Sequence, residues 1–155
     1  MKMATREDIA APIEAVFEQI SDFDGFERAA MRRGAEVVRT DTLSAPGPGM
    51  SWRAGFDYRG KARKANIELS DYEVPERVRA RVQSTGIEME VVVELVAMSR
   101  SRTRMNLTLD ARPRTIPARL MIQSLKLARQ SVLKRFRRRV ADYAADLEER
   151  LRDRG

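Results

Sequence analysis

The sequence predicts an α+β fold in which a curved antiparallel sheet of seven strands wraps around a long C-terminal helix. Two patterns carry this expectation. From Ile116 to Leu151 apolar residues recur three or four apart, at Met121, Leu125, Ala128, Val132, Phe136, Val140, Tyr143, Leu147 and Leu151. That is the period of one helix face. From Ala35 to Ala111 the period drops to two, and apolar residues alternate with polar ones through six short stretches. Such alternation marks strands with one buried and one wet face. The turns between them are short, so neighbours must run antiparallel, and a twisted sheet of this size curls around whatever covers it.

Taken in order, residues 2–9 form a strand in which Met3, Thr5 and Ile9 alternate with charges. Pro12 opens a helix whose Ile13, Val16, Phe17 and Ile20 have the spacing of a buried stripe. Ser21, Asp22, Asp24 and Gly25 interrupt it. Phe23 and Phe26 then anchor a second short helix reaching about Met31, and Gly34 ends it. Six strands follow, the first from Glu36 to Leu43. The others are carried by Trp52, Ala54, Phe56 and Tyr58; by Ala65, Ile67 and Leu69; by Val78, Ala80 and Val82; by Ile87, Met89, Val91, Val93 and Leu95; and by Met105, Leu107, Leu109 and Ala111. Pro46-Gly47-Pro48-Gly49 reads as a defined surface loop. On the wet face Arg77, Arg79 and Arg81 are expected to oppose Glu88, Glu90 and Glu94. Thr115 and Pro117 suit the cap and first turn of the last helix. Its apolar face is broad as far as Leu133, where it is expected to lie on the sheet, and narrows beyond. No linker divides the chain, and residues 1–155 read as one domain.

Composition removes several function classes. The chain has no cysteine and no histidine, so thiol chemistry, the commonest metal ligand and the commonest general base are all missing. Ser-His-Asp and Cys-His catalysis are thereby excluded. No metal and no cofactor are expected. Residues Met1 to Asp8 are too polar for a signal peptide, and no run is apolar enough to span a bilayer. The cytoplasm, or the periphery of a membrane, is the expected location. Formal net charge is +7, and no acidic residue stands between Asp110 and Asp142. A field of that kind attracts phosphates, although charge runs more often just keep a protein solvated. Lys126, Arg129, Arg135 and Arg137 are expected to make weak contact with anionic membrane surfaces. Nucleic acid is disfavoured, because Phe136 is the lone aromatic residue in the basic run.

One stretch resembles a known family. Ile9-Ala10-Ala11-Pro12-Ile13-Glu14-Ala15-Val16-Phe17, followed by Ile20-Ser21-Asp22, is similar to the strand-to-helix entry of the START-like (SRPBCC) superfamily, in its polyketide cyclase/dehydrase and lipid-transport group. Gly49 to Trp52 and the turn Tyr72-Glu73-Val74-Pro75-Glu76-Arg77-Val78 are similar to later landmarks of that group. The resemblance covers the whole chain and implies the helix-grip fold, with a cavity for an apolar molecule between the curved sheet and the C-terminal helix. Many relatives carry a Pro-Trp pair where Asp24-Gly25-Phe26-Glu27 stands here, which leaves the subfamily open.

Three functions stay in play. The first is binding, and possible transport, of a hydrophobic small molecule or lipid. Its cavity is expected to be lined by Trp52, Phe56, Tyr58, Ile67, Leu69, Val82, Met89, Val91, Met105, Leu107, Met121 and Leu125. The second is a cyclase or dehydratase, for which Tyr58 and Asp71 are the candidate acid–base groups. The third is an interaction module working through the basic helix.

Overall fold

The computed structural model describes residues 1–154, and each alternating stretch is a strand. The elements are β1 (Lys2–Ile9), α1 (Ile13–Ile20), α2 (Phe23–Arg32), β2 (Glu36–Arg39), β3 (Ser51–Tyr58), β4 (Lys61–Glu73), β5 (Arg77–Ser84), β6 (Ile87–Ser99), β7 (Arg102–Pro113), α3 (Ile116–Leu127) and α4 (Arg129–Arg154). The strands form one antiparallel sheet in the order β1-β7-β6-β5-β4-β3-β2. The helices α1 and α2 carry the chain from one edge of the sheet to the other. The meander β2 to β7 then brings it back beside β1, completing a helix-grip architecture.

Register assigns the faces. Trp52, Ile67, Val82 and Met89 lie side by side across β3 to β6, as do Leu69, Ala80, Val91 and Leu109 across β4 to β7. These rows form the concave face. On the convex face Arg77 stands opposite Glu94 and Arg81 opposite Glu90, while Arg79 faces Val92 and reaches Glu90 diagonally at 4.0 Å. The expected arginine–glutamate ladder is therefore partly shared with β4, whose Asp71 and Glu73 accept from Arg77 at 2.7 and 3.0 Å.

The fully packed core occupies one end of the concave face. Ile9, Val16, Phe17, Leu95, Met105, Val140, Ala144 and Leu147 meet there, between α1, α4 and the ends of β1, β6 and β7. Thr103, also fully buried, donates its hydroxyl to the Ala11 carbonyl at 2.8 Å, which satisfies both groups. Towards the other end Val82, Met89, Val91 and Leu107 are only half-buried.

Two boundaries differ from expectation. The strand begun at Glu36 ends at Arg39, short of Leu43. Asp41 is the cause: its carboxylate accepts from Arg39 Nε and Nη2 at 2.7 and 2.6 Å and from the Leu43 and Ser51 amides at 2.9 and 2.8 Å. That turns the chain out of the ladder. The run from Ile116 to Leu151 is two helices, parted at Ala128 (φ −102°, ψ 27°). Helix α3 packs on β7, and α4 on β1 and α1. The broad apolar face of the first half does not lie wholly on the sheet. Ala118 and Ile122 are buried, but Ile116, Leu120, Met121 and Leu127 are exposed, Leu127 at 93%. Gly86 sets the start of α3. Its φ of +75° suits glycine, and a Cβ there would collide with the hydroxyl of Thr115, the residue that caps α3.

An apolar cleft under helix α2

Helix α2 buries no residue completely, yet one of its faces is apolar. Phe23, Phe26, Glu27 and Ala30 have the i, i+3, i+4, i+7 spacing of a single stripe. Asp22 caps the helix by accepting from the Gly25 amide at 3.1 Å, which sets where that stripe begins. Beneath it lie Val37 of β2, Trp52 and Ala54 of β3, Ile67 and Leu69 of β4, and Val78 and Ala80 of β5. Between the two layers is a cleft of about 340 Å³. Ala30, Ala54 and Ala80 explain why it stays open, since larger side chains at any of them would reach into it. Among the residues that line the cleft, Glu27 alone is titratable.

Trp52 is the rigid part of the wall, 6% exposed. The Phe23 ring lies 5.4 Å from it, and its indole Nε1 donates to Glu27 Oε1 at 2.5 Å. The Arg39 guanidinium stands 5.6 Å from the ring centroid, within cation–π range. Arg39 is itself locked by its two bonds to Asp41. That pairing raises the Arg39 pKa, and it holds the Asp41 carboxyl far below the usual carboxylate range, with the Ser51 amide assisting. On the outer side Phe26 packs near Tyr143 of α4, whose phenol is pushed up by burial.

The cleft lies under α2 and not under the C-terminal helix as expected, because α4 packs its Val140, Ala144 and Leu147 directly into the core. Of the residues expected to line a cavity, Trp52, Ile67 and Leu69 border this cleft. Phe56 borders an adjoining hollow of about 480 Å³ at the C-terminal end of α2, which shares Ala30 with the cleft. Val82, Met89, Val91 and Leu107 continue the concave face beyond it, half-buried, and Leu125 is half-buried on α3. Met105 belongs to the packed core, and Met121 is exposed. Tyr58 is 53% exposed at the β3–β4 hairpin, with the Arg59 and Arg63 guanidinium groups 5.3 and 5.6 Å from its ring. Asp71 is paired with Arg77 on the convex face. Tyr58 and Asp71 therefore do not converge. The basic residues Lys126, Arg129, Arg135 and Arg137 are all exposed on α3 and α4. Among the described residues no group of three or more carboxylates is placed to hold a metal ion, and no helix is long and apolar enough to cross a membrane.

The α2 residues of the cleft, Phe23, Phe26, Glu27 and Ala30, were not among the expected lining. Their helical spacing was the available signal. Val37 stood in a predicted strand with no face assigned to it, and Ala54, Val78 and Ala80 were visible as inward positions but carried no mark of function.

A family model described as polyketide cyclase/dehydrase and lipid transport matches residues 1–141. Among solved structures, the Zhui aromatase/cyclase from Streptomyces sp. R1128 is similar over 100% of this chain and 98% of its own, at 20% identity and a TM-score of 0.68. TTHA0849 from Thermus thermophilus matches over 100% and 99%, at 21% identity and a TM-score of 0.65. A START superfamily protein from Mycobacterium smegmatis matches over 86% and 95%, at 13% identity and a TM-score of 0.56. At these identities the likeness is one of fold. A search of curated proteins finds no sequence match.

Proposed function

The chain belongs to the polyketide cyclase/dehydrase and lipid transport family, and from that premise we propose that it binds an apolar small molecule in the cleft between α2 and the sheet. The observation that carries this reading is the lining: ten of the eleven residues around about 340 Å³ are apolar, and three of them are alanines facing one space. That volume is at the small end of ligand sites, which favours a compact molecule of a few fused rings or a short chain. Affinity comes mainly from removing apolar surface from water, at about 25 cal/mol per Å². Acid–base catalysis has less support, because Tyr58 and Asp71 lie apart and Glu27 is the single titratable group on the wall. Native mass spectrometry of the purified protein tests the reading. A bound apolar compound is expected, and it should be lost when Ala80→Phe fills the cleft. A compound retained equally by that variant would contradict the assignment.

A second element of the reading is pick-up and release at anionic membrane surfaces. It is supported by α3, where Ile116, Leu120 and Leu127 share an exposed stripe on the side away from buried Ala118 and Ile122. Arg119 and Lys126 lie along one side of that stripe, Arg129, Arg135 and Arg137 follow on α4, and residues 111–141 contain no acid. An apolar stripe edged by cations suits the bilayer interface, where each cation contributes about 1 kcal/mol. A second copy of this chain is a poor occupant, since it would set the same cations against themselves. Sedimentation with anionic vesicles should fall in high salt and on Leu127→Glu. Equal sedimentation with neutral vesicles would refute it.

A further inference from the structure

We propose that Glu27 decides which apolar molecules the cleft accepts, favouring those with a hydrogen-bond donor at the α2 end and rejecting those with a carboxylate there. The proposal rests on the ligand-binding reading above and adds the polarity of the ligand. Three observations lead to it. Glu27 is the lone titratable side chain among the residues lining the cleft. Its Oε1 is committed to the Trp52 indole at 2.5 Å, while Oε2 accepts no hydrogen bond among the described residues. Arg39 acts on Glu27 only through space: its guanidinium is bonded to both oxygens of Asp41, and Glu27 forms no ion pair within 4.0 Å among the described residues.

The consequence follows from solvation. A carboxylate offers about four acceptor positions, and one is used here. Glu27 is half-buried, so water can reach the rest when no ligand covers it. A molecule that fills the cleft displaces that water, and an occupant without a donor leaves the charge desolvated. A hydroxyl, phenol or N–H on the ligand restores the lost bond. A ligand carboxylate would instead meet like charge in a low-dielectric wall. Sites of this kind discriminate by the group left unpaired as well as by the bond gained. Indole satisfaction alone would be a structural role, and it predicts no preference among ligands of one shape.

The experiment measures equilibrium binding of 2-naphthol, 2-methoxynaphthalene and 2-naphthoate, which share a body and differ at one end, to the wild-type protein and to Glu27→Gln and Glu27→Leu. In the wild type 2-naphthol should bind at least about tenfold more tightly than 2-methoxynaphthalene, and 2-naphthoate most weakly. Glu27→Gln keeps an acceptor for the indole but loses the charge, so the 2-naphthoate penalty should largely disappear while 2-naphthol still binds. Glu27→Leu should level all three. Equal binding of all three by the wild type would overturn the role of Glu27 and leave the cleft reading standing, as would an unchanged 2-naphthoate penalty in Glu27→Gln. No binding of any of them would overturn both.

Discussion

Two leucines on the C-terminal run make opposite predictions. Leu147 of α4 is 0% exposed and sits in the core with Val16, Phe17 and Ile9. Its neighbour Glu148 accepts from the Ala10 amide at 2.6 Å, which pins α4 to the corner between β1 and α1. A helix held in this way cannot slide in to close a void, so Leu147→Ala should cost about 3 kcal/mol, within the ~2–5 of buried leucine truncations. For a chain of this size that is a fall in Tm of roughly 6–12 °C. Leu127 of α3, 93% exposed, should cost less than about 0.5 kcal/mol when truncated. Urea unfolding followed by circular dichroism and by tryptophan emission gives both values, and coincidence of the two signals licenses a two-state reading. A loss above about 1 kcal/mol for Leu127→Ala, or below about 1 for Leu147→Ala, would refute the placement of the two helices.

Other expectations follow from single contacts. Asp8 accepts from Arg104 at 2.8 Å and from Arg102 at 3.2 Å, which lowers its pKa to about 2. Its folded value lies below the ordinary one, so its contribution to stability is present above about pH 4 and is lost as pH falls through about 2. In acid titrations Asp8→Asn should flatten the stability curve across that window, and an unchanged slope would count against the pairing. Gly86→Ala forces a side chain into the Thr115 cap at a positive φ, and should destabilise by about 1 kcal/mol or more. Denaturant melts that match the wild type would show that the hairpin does not brace α3.

The strands were legible because the alternation runs through most of each strand and most inward positions are apolar. What escaped the pattern were local departures from it. A bulge between Leu69 and Asp71 shifts the register by one, so Tyr72 turns inward against Phe17 and Asp71 turns outward to Arg77. Simple alternation places Asp71 on the wrong face. Tyr58 has inward parity, but the β3–β4 hairpin carries it beyond the helices that cover the sheet. The break at Ala128 involves neither Gly nor Pro, and the apolar phase runs straight through it from Ile122 to Val140, so periodicity does not register it. The cleft was half legible. Its large residues, Trp52, Ile67 and Leu69, announce themselves, but the space is made by Ala30, Ala54 and Ala80, and small residues leave no periodic mark.

Trp52 reports directly on whether an apolar molecule enters the cleft, being the single tryptophan of the chain and part of the cleft wall. Titration with 1-decanol, a colourless apolar alcohol, should give a saturable change in tryptophan emission in the wild type. The same titration of Ala80→Phe, matched for folding by circular dichroism, should give none. An equal response in both proteins, or no saturable response in the wild type, would contradict binding there.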